Sequence, residues 1–335
     1  MPNLVITADW HIRIKPDIDE QWQLNRYKLL INEVIKVCHE HDGILVLAGD
    51  ILDRNRPSLS ELKLVMHLLH KANAMGIQTY LISGNHESLG LGASTYDFLS
   101  PFMAKLENVS YNTSQEIFVP LEDDVDLYLV GHPALADYEL GDLRPNKTNI
   151  LVSHFRPTVN QFIQEEIDVE KFIAPFDVCF AGDIHLPLTL HDAKLIYVNH
   201  PVNSCFEKLP DCSLVLAKAS GAGMAYKRIP LALPNLVQIN TTPEAYSEPE
   251  DDFNFYRVEI TGSPEELRSI KSSKPTVKLL KVPEVLDAFA EVAEDSEIQD
   301  VALEDALVGY MKELNMDEEN ISQMMAVYRE TDDGA

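Results

Sequence analysis

The sequence predicts an α/β protein built on parallel strands that are buried on both faces. Three observations predict it. Five apolar runs, LVIT (4–7), ILVLA (44–48), TYLIS (79–83), NILVS (149–153) and DVCFA (177–181), lack the alternation of a half-exposed strand, which is the pattern of strands covered from both sides. Helical stretches separate strand runs along residues 1–200, the α/β signature. Each run is followed at once by metal-binding side chains: Asp9 and His11, Asp50 and Asp53, Asn85 and His86, His154, and Asp183 and His185. In open α/β sheets the ligand crevice lies beyond the carboxyl ends of the strands, so these side chains are expected to converge on one edge of the sheet.

The elements follow in order. Residues 21–39 are helical by spacing, with Leu24, Tyr27, Leu30, Ile31, Val34 and Val37–Cys38 on one apolar side. Ser58 or Ser60 caps a second helix that runs to Met75, where Gly76 ends it. Its apolar residues Leu62, Val65, Met66 and Leu69 face the sheet or another subunit. Residues 116–135 hold two strands split by the acidic turn Glu122-Asp123-Asp124. After Pro201 the texture changes. Residues 213–220 and 224–231 alternate across Gly221-Ala222-Gly223 and read as a hairpin. Residues 236–240 and 253–260 add strands, and Ser263-Pro264-Glu265-Glu266 starts a helix with proline at its first position. This predicts a metal-binding domain over 1–204, a small α+β module over 205–275 and a helical C-terminal region over 276–335, with three amphipathic helices from Pro283 on.

Charge bounds the partners. The formal charge is −27; residues 241–335 carry 24 acidic residues against 8 Lys and Arg, a net of −16, so over half the excess lies in the last quarter. Such a chain gains little from counterion release and binds a polyanion weakly by itself. The acidic tail reads as solvated or partner-facing. No run of about 18 apolar residues is present, so a spanning helix is excluded. Residues 1–7 enter a strand without a signal-peptide pattern. Cys38, Cys179, Cys205 and Cys212 lack C-x-x-C spacing and read as reduced thiols, which points to the cytoplasm.

The strand-end residues imply metal chemistry. Side chains two apart on a strand point the same way, so Asp9 and His11 can bind one ion. A carboxylate such as Asp50 has two oxygens and can bridge two ions. Gly49 and Gly84 allow the backbone to turn tightly. Oxygen and imidazole donors together suit one or two divalent ions of intermediate hardness, such as manganese. Asp53 reads as a turn or capping residue. His39, His41, His67, His70 and His191 lie in helical or loop contexts without ligand patterns; His132 and His200 follow apolar strands and are secondary candidates.

These segments resemble the calcineurin-like metallophosphoesterases. The motifs are Asp9-x-His11, Gly49-Asp50-x-x-Asp53, Gly84-Asn85-His86-Glu87, a single His154 after a strand, and Gly182-x-x-His185. Within that superfamily the chain is similar to the nuclease subunit of the SbcC–SbcD complex, in its phage-type form. Trp10 between two ligands, Pro57-Ser58 beyond the second motif, and the segment YVNHPVNSCFE (197–207) carry this likeness. The resemblance implies a sandwich of two β-sheets flanked by helices, with a capping domain and a helical tail. It implies that Asp9, His11, Asp50 and His185 hold one divalent ion, that Asp50, Asn85, His154 and Asp183 hold a second, and that His86 is the acid protonating the leaving oxygen. Manganese is the expected metal, with magnesium the alternative. Two residues depart from the family pattern. Asp183 stands where the family has histidine, and Glu87, expected to orient His86, stands where it has aspartate.

The implied activity is exonuclease and endonuclease cleavage of DNA, with an SbcC-like coiled-coil ATPase docking on the C-terminal helices and a homodimer formed through the N-terminal domain. The same metal frame also serves phosphoprotein phosphatases and small-molecule phosphodiesterases. A scaffold without activity is a third reading, opposed by the intact ligand set.

Overall fold

Residues Asn3–Thr7 form β1, whose side chains from Leu4 on are buried: Leu4 and Ile6 face one core, Val5 another. The computed structural model describes residues 3–90, 92–113, 115–122, 124–139, 141, 143–144, 146–156, 167–206, 212–220 and 223–283. Helix α1 (Glu20–Glu40) begins where the Asp19 carboxylate accepts the Trp22 N–H at 2.7 Å. It presents Tyr27, Leu30, Ile31 and Val34 to the sheet. β2 (Gly43–Ala48) pairs parallel with β1.

Helix α2 (Leu59–Ala74) starts at a reciprocal cap: Ser58 accepts the Glu61 N–H, and Glu61 accepts the Ser58 N–H. Of the two candidate caps, Ser58 is therefore the one used. The fully covered stripe of α2 is Leu64, Val65, Leu68, Leu69 and Ala72, while Leu62 and Met66 are only half-buried at its margin. The stripe packs on the first sheet. β3 (Thr79–Ile82) follows, then the ribbon of β4 (Ser88–Gly90) and β5 (Ala93–Ser94), the short helix α3 (Ser100–Met103) and β6 (Val109–Tyr111).

β7 (Ile117–Glu122) and β8 (Val125–Val130) form the expected antiparallel pair. β9 (Thr148–His154), α4 (Val169–Ile173), β10 (Val178–Gly182), β11 (Thr189–Leu190) and β12 (Leu195–Tyr197) complete a second sheet of order β11-β12-β10-β9-β8-β7. The two sheets face each other across a core that includes Ile6, Val46, Ile82, Leu127, Val152 and Phe180. Each such side chain contributes about 1.5–3 kcal/mol on leaving water. α1 and α2 cover the outer face of the first sheet; α4 and the 3₁₀ turn His132–Asp137 cover that of the second. The result is a helix–sheet–sheet–helix sandwich.

The hairpin β13 (Ser213–Ser220) and β14 (Gly223–Pro230) was expected in the module over 205–275, but it belongs to the sandwich. β13 pairs antiparallel with β1, giving the first sheet the order β14-β13-β1-β2-β3-β6. The reason is visible in its side chains. Leu214 and Leu216 join the helix-side core, while Val215, Ala217 and Ala219 join the core between the sheets. A strand apolar on both faces needs two covered faces. The boundary expected after residue 204 thus falls inside one unit, which spans 1–260 and 270–281.

A third sheet has the order β15-β16-β17, from Leu236–Thr241, Phe255–Gly262 and Val277–Pro283. Leu236 and Phe255 pack with Ile18 and Trp22 at the start of α1, and the Trp22 Nε1–H donates to the Phe253 carbonyl at 3.0 Å. Residues 277–283, assigned to the helical region by sequence, are strand, as the β-branched Val277 and Val282 favour. The second unit spans 261–269 and 282–335. In it, α5 (Pro264–Ser269) is capped by Ser263, whose Oγ accepts the Glu266 N–H at 3.4 Å while its own N–H donates to the Glu266 carboxylate at 3.0 Å. The helices expected beyond Pro283 lie outside the described residues. No helix among the described residues is long and apolar enough to cross a membrane.

Candidate metal centre

The segments leaving β1 and β2 run side by side. Asp9 N–H donates to the Gly49 carbonyl at 3.1 Å, His11 N–H to Asp50 at 3.0 Å, and Ile12 N–H to Ile51 at 2.9 Å. This continued pairing places side chains 9, 11 and 50 together. The backbone bends to do it: φ is +57° at Asp9, +43° at His11, +51° at Asp50 and +90° at Asp183. Four non-glycine residues in this region at one strand edge store about 1–3 kcal/mol each, which the cores on either side sustain.

Three backbones, at Gly49, Gly84 and Gly182, approach the cluster so closely that only glycine fits. A Cβ at Gly84 would fall on the Asp50 carboxylate, and one at Gly182 would lie 2.5 Å from His154 Nδ1 and 2.7 Å from the Ala48 carbonyl. Gly182 stands in the last motif, yet nothing in the sequence distinguishes its role from that of a turn residue.

All eight sequence-predicted residues come to this place. His11 Nε2 lies 2.9 Å from His185 Nε2, and His185 Nε2 lies 3.9 Å from Asp9 Oδ1. Asp50 Oδ2 is 3.7 Å from His11 Nε2, 3.4 Å from His154 Nε2 and 3.8 Å from His86 Nε2. Asn85 Oδ1 is 3.1 Å and Asp183 Oδ1 4.0 Å from His154 Nε2. Donor atoms of Asp9, His11 and His185 form one compact set and those of Asp9, Asp50 and His154 another. Asp50 sits between imidazoles of both.

The local charges ask for cations. Burial pushes the Asp9 carboxyl up to about 6, and its Oδ2 is enclosed without a hydrogen-bond partner. Burial alone would lower His154, but Asp50 and Asp9 raise it to about 10. Asp50, despite burial, is held well below the usual carboxylate range by His154 and His11. Burial and His11 push His185 down to about 3. Two imidazole Nε2 atoms 2.9 Å apart need a proton or another cation between them. The orphaned Asp9 oxygen, the His11–His185 contact and the mixed oxygen and imidazole donors therefore fit divalent ions, which would take the place of a proton at His154.

Supporting residues fix these donors. His154 Nδ1–H donates to the Ala48 carbonyl at 2.9 Å, turning Nε2 to the cluster. Glu87 was expected to orient His86; it does not reach that ring. Its longer side chain is fully buried and accepts the N–H groups of Asp50 (3.0 Å), Leu52 (2.7 Å) and Gly84 (2.7 Å) and the Tyr96 hydroxyl (2.7 Å). It pins the two loops beneath the donors. His86 is instead set by Asp53, whose backbone carbonyl accepts from His86 Nδ1 at 2.7 Å.

Asp53, read from sequence as a turn residue, also places Oδ1 3.3 Å from His11 Nδ1 and accepts from Arg13 at 2.9 Å. Its spacing after Asp50 was the available signal. Sequence reasoning missed Arg156, which grips Asp183 with two hydrogen bonds of 3.0 and 3.1 Å; its place two residues after His154 carries no signal by itself. His200 is buried and contacts the His185 carbonyl at 3.2 Å, so it supports the site from behind. His132 is held by its backbone N–H on Ser83, 2.8 Å away.

Glu87→Ala would strand four donors in the interior. Each costs about 1–3 kcal/mol when left unpaired, so an overall loss of about 3 kcal/mol or more is expected in denaturant unfolding. Tyr96→Phe removes one charge-assisted bond and should cost about 1.5–3 kcal/mol. A Glu87→Ala protein within about 1 kcal/mol of wild type would show that these bonds do not hold the loops.

The calcineurin-like phosphoesterase family model matches residues 2–187. Among solved structures, a single mutant of Vps29 from Entamoeba histolytica is 9% identical over 69% of this chain and 99% of that chain, with a TM-score of 0.30. Wild-type Vps29 from the same organism, complexed with zinc, is 8% identical over 68% of this chain and 98% of that chain, also at 0.30. The family match spans the strands and motifs that build the cluster, and the chain belongs to the calcineurin-like phosphoesterases, metal-dependent hydrolases of phosphoester bonds.

Proposed function

We propose that this chain is a metal-dependent DNA nuclease. The observation that carries phosphodiester hydrolysis is Asp50, which faces imidazoles of both donor sets and lies 3.8 Å from Nε2 of a ring, His86, that is 40% exposed. An acid thus stands on the open side of the donors. Divalent ions bound there, manganese by preference, would supply Lewis acidity and a water of lowered pKa. The chain's own residues do the rest. Asp9, His11, Asp50 and His185 hold one side of the centre, and Asp50, Asn85, His154 and Asp183 hold the other. Asp53 keeps the His86 Nδ1–H engaged, so Nε2 is the atom from which the ring, entering the step as imidazolium and leaving it neutral, gives its proton to the departing sugar oxygen.

DNA as substrate is supported by the likeness of 197–207 to the SbcD-type branch. In the structure His200 of that segment packs behind His185, and Arg26, buried on α1, donates to the Asn203 carbonyl. The proposed activity is exonuclease cleavage of duplex ends and endonuclease cleavage of single strands and hairpins. The test is manganese-dependent release of nucleotides from end-labelled linear duplex, run beside a phosphopeptide. Cleavage of the duplex is expected; phosphopeptide hydrolysis without duplex cleavage would replace this reading with a phosphatase.

The proposed partner is an SbcC-like coiled-coil ATPase bound through the acidic residues 283–335, and the proposed assembly is a homodimer of the nuclease within it. Deleting 283–335 should abolish co-purification with such an ATPase while manganese-dependent cleavage continues. Co-purification of the truncated chain would place the docking surface elsewhere.

A further inference from the structure

A chain of net charge −27 repels a polyanion at long range, so contact with a polynucleotide has to come from cations placed beside the scissile bond. Two guanidiniums stand there. Arg13 Nη1–H donates to Asp53 Oδ2 at 2.9 Å, and the other oxygen of Asp53 lies 3.3 Å from His11 Nδ1. Arg156 donates through Nε and Nη2 to the two oxygens of Asp183, and Asp183 Oδ1 lies 4.0 Å from His154 Nε2. The two are built alike. Each arginine is tied to a carboxylate, and each carboxylate also touches an imidazole of the donor cluster. The arginine side chains are 46% and 38% exposed, while Asp53 and Asp183 are 20% and 5% exposed.

We propose that Arg13 and Arg156 contact the phosphates that flank the scissile bond, one beside each donor set. The inference rests on the polynucleotide reading of the site. Two physical points carry it. Anchoring on a carboxylate fixes the long side chain beforehand, and less rotamer freedom is lost when phosphate arrives. The planar guanidinium matches phosphate oxygens in a way that a lysine at the same place does only as a point charge.

The test uses the full chain with manganese and the variants Arg13→Gln, Arg156→Gln, Arg13→Lys and Arg156→Lys. KM for a defined oligonucleotide is measured across salt concentrations, alongside hydrolysis of bis(p-nitrophenyl) phosphate, a phosphodiester with no flanking phosphates, and manganese binding by calorimetry. Each Gln variant should raise KM for DNA and lower the slope of log KM against log salt by about one, and each Lys variant should restore most of that slope. The loss of kcat/KM on DNA should exceed the loss on the small ester by roughly ten-fold or more. Equal losses on both substrates, accompanied by weaker manganese binding, would overturn the proposal, because the arginines would then act only through Asp53 and Asp183. An unchanged salt slope in the Gln variants would overturn it as well. If wild type hydrolyses the small ester but shows no salt-dependent action on DNA, the nuclease reading fails together with the proposal, and this outcome is distinct from the other two.

Discussion

Asp50→Ala is expected to abolish hydrolysis of DNA and of small phosphodiesters, and to abolish high-affinity manganese binding with it. Asp50 stands among three imidazoles of the cluster. Its Oδ2 faces His11, His86 and His154 within 3.8 Å, and its Oδ1 accepts the His86 N–H at 3.0 Å. Removing the carboxylate takes a negative charge from between two donor sets and leaves a buried His154 without its main counter-charge. If Asp50 serves both proposed subsites, each loses a donor at once, and the effect exceeds that of a residue serving one ion. Asp50→Asn keeps the shape and the hydrogen bond to His86 while removing the charge, which separates electrostatics from folding. Manganese binding by calorimetry and hydrolysis should fall together in both variants. An Asp50→Asn protein that still binds two ions and turns over normally would end the assignment of Asp50 as the shared ligand.

His86→Ser should reduce kcat by about 10²–10⁴-fold, the usual contribution of a positioned proton donor, while manganese and DNA binding persist. The geometry gives the reason. His86 Nδ1 is engaged by the Asp53 carbonyl, and its Nε2 faces the half-exposed side of the cluster, 3.8 Å from Asp50. His86 also shares a compact group with His11 and Asp53 that could itself hold a cation. Metal titration decides between the two roles. If manganese stoichiometry falls in His86→Ser, the imidazole is a ligand and the proton comes from elsewhere. If stoichiometry holds, a substrate with a better leaving group should recover much of the lost rate, because it needs no proton.

Much of this was legible in the linear chain. The five buried strands and the donors behind them follow from apolar runs and their endings, which are local properties. The parallel order of β1, β2 and β3 and the pairing of β9 with β10 then brought those donors to one edge. Less legible was the fate of 213–220. The alternating hairpin was correctly read as two strands, but its partner, β1, lies some two hundred residues away, and only the burial of both its faces reveals the pairing. Glu87 shows the same limit at the site. Its identity marked a departure from the family pattern, but one added methylene reaches the N–H groups of Asp50 and Leu52 instead of the ring of His86.

The sequence by itself determined which donor side chains stand on which strand ends, because strand periodicity and turn chemistry are set within a few residues. Tertiary structure alone decided what holds them there: Glu87 under the loops, Gly182 against His154, Asp53 behind His11, and Arg156 on Asp183. Those partners are chosen by approach distances between segments 27 or more residues apart, where a fraction of an ångström settles whether a bond forms, and no local pattern encodes such a distance.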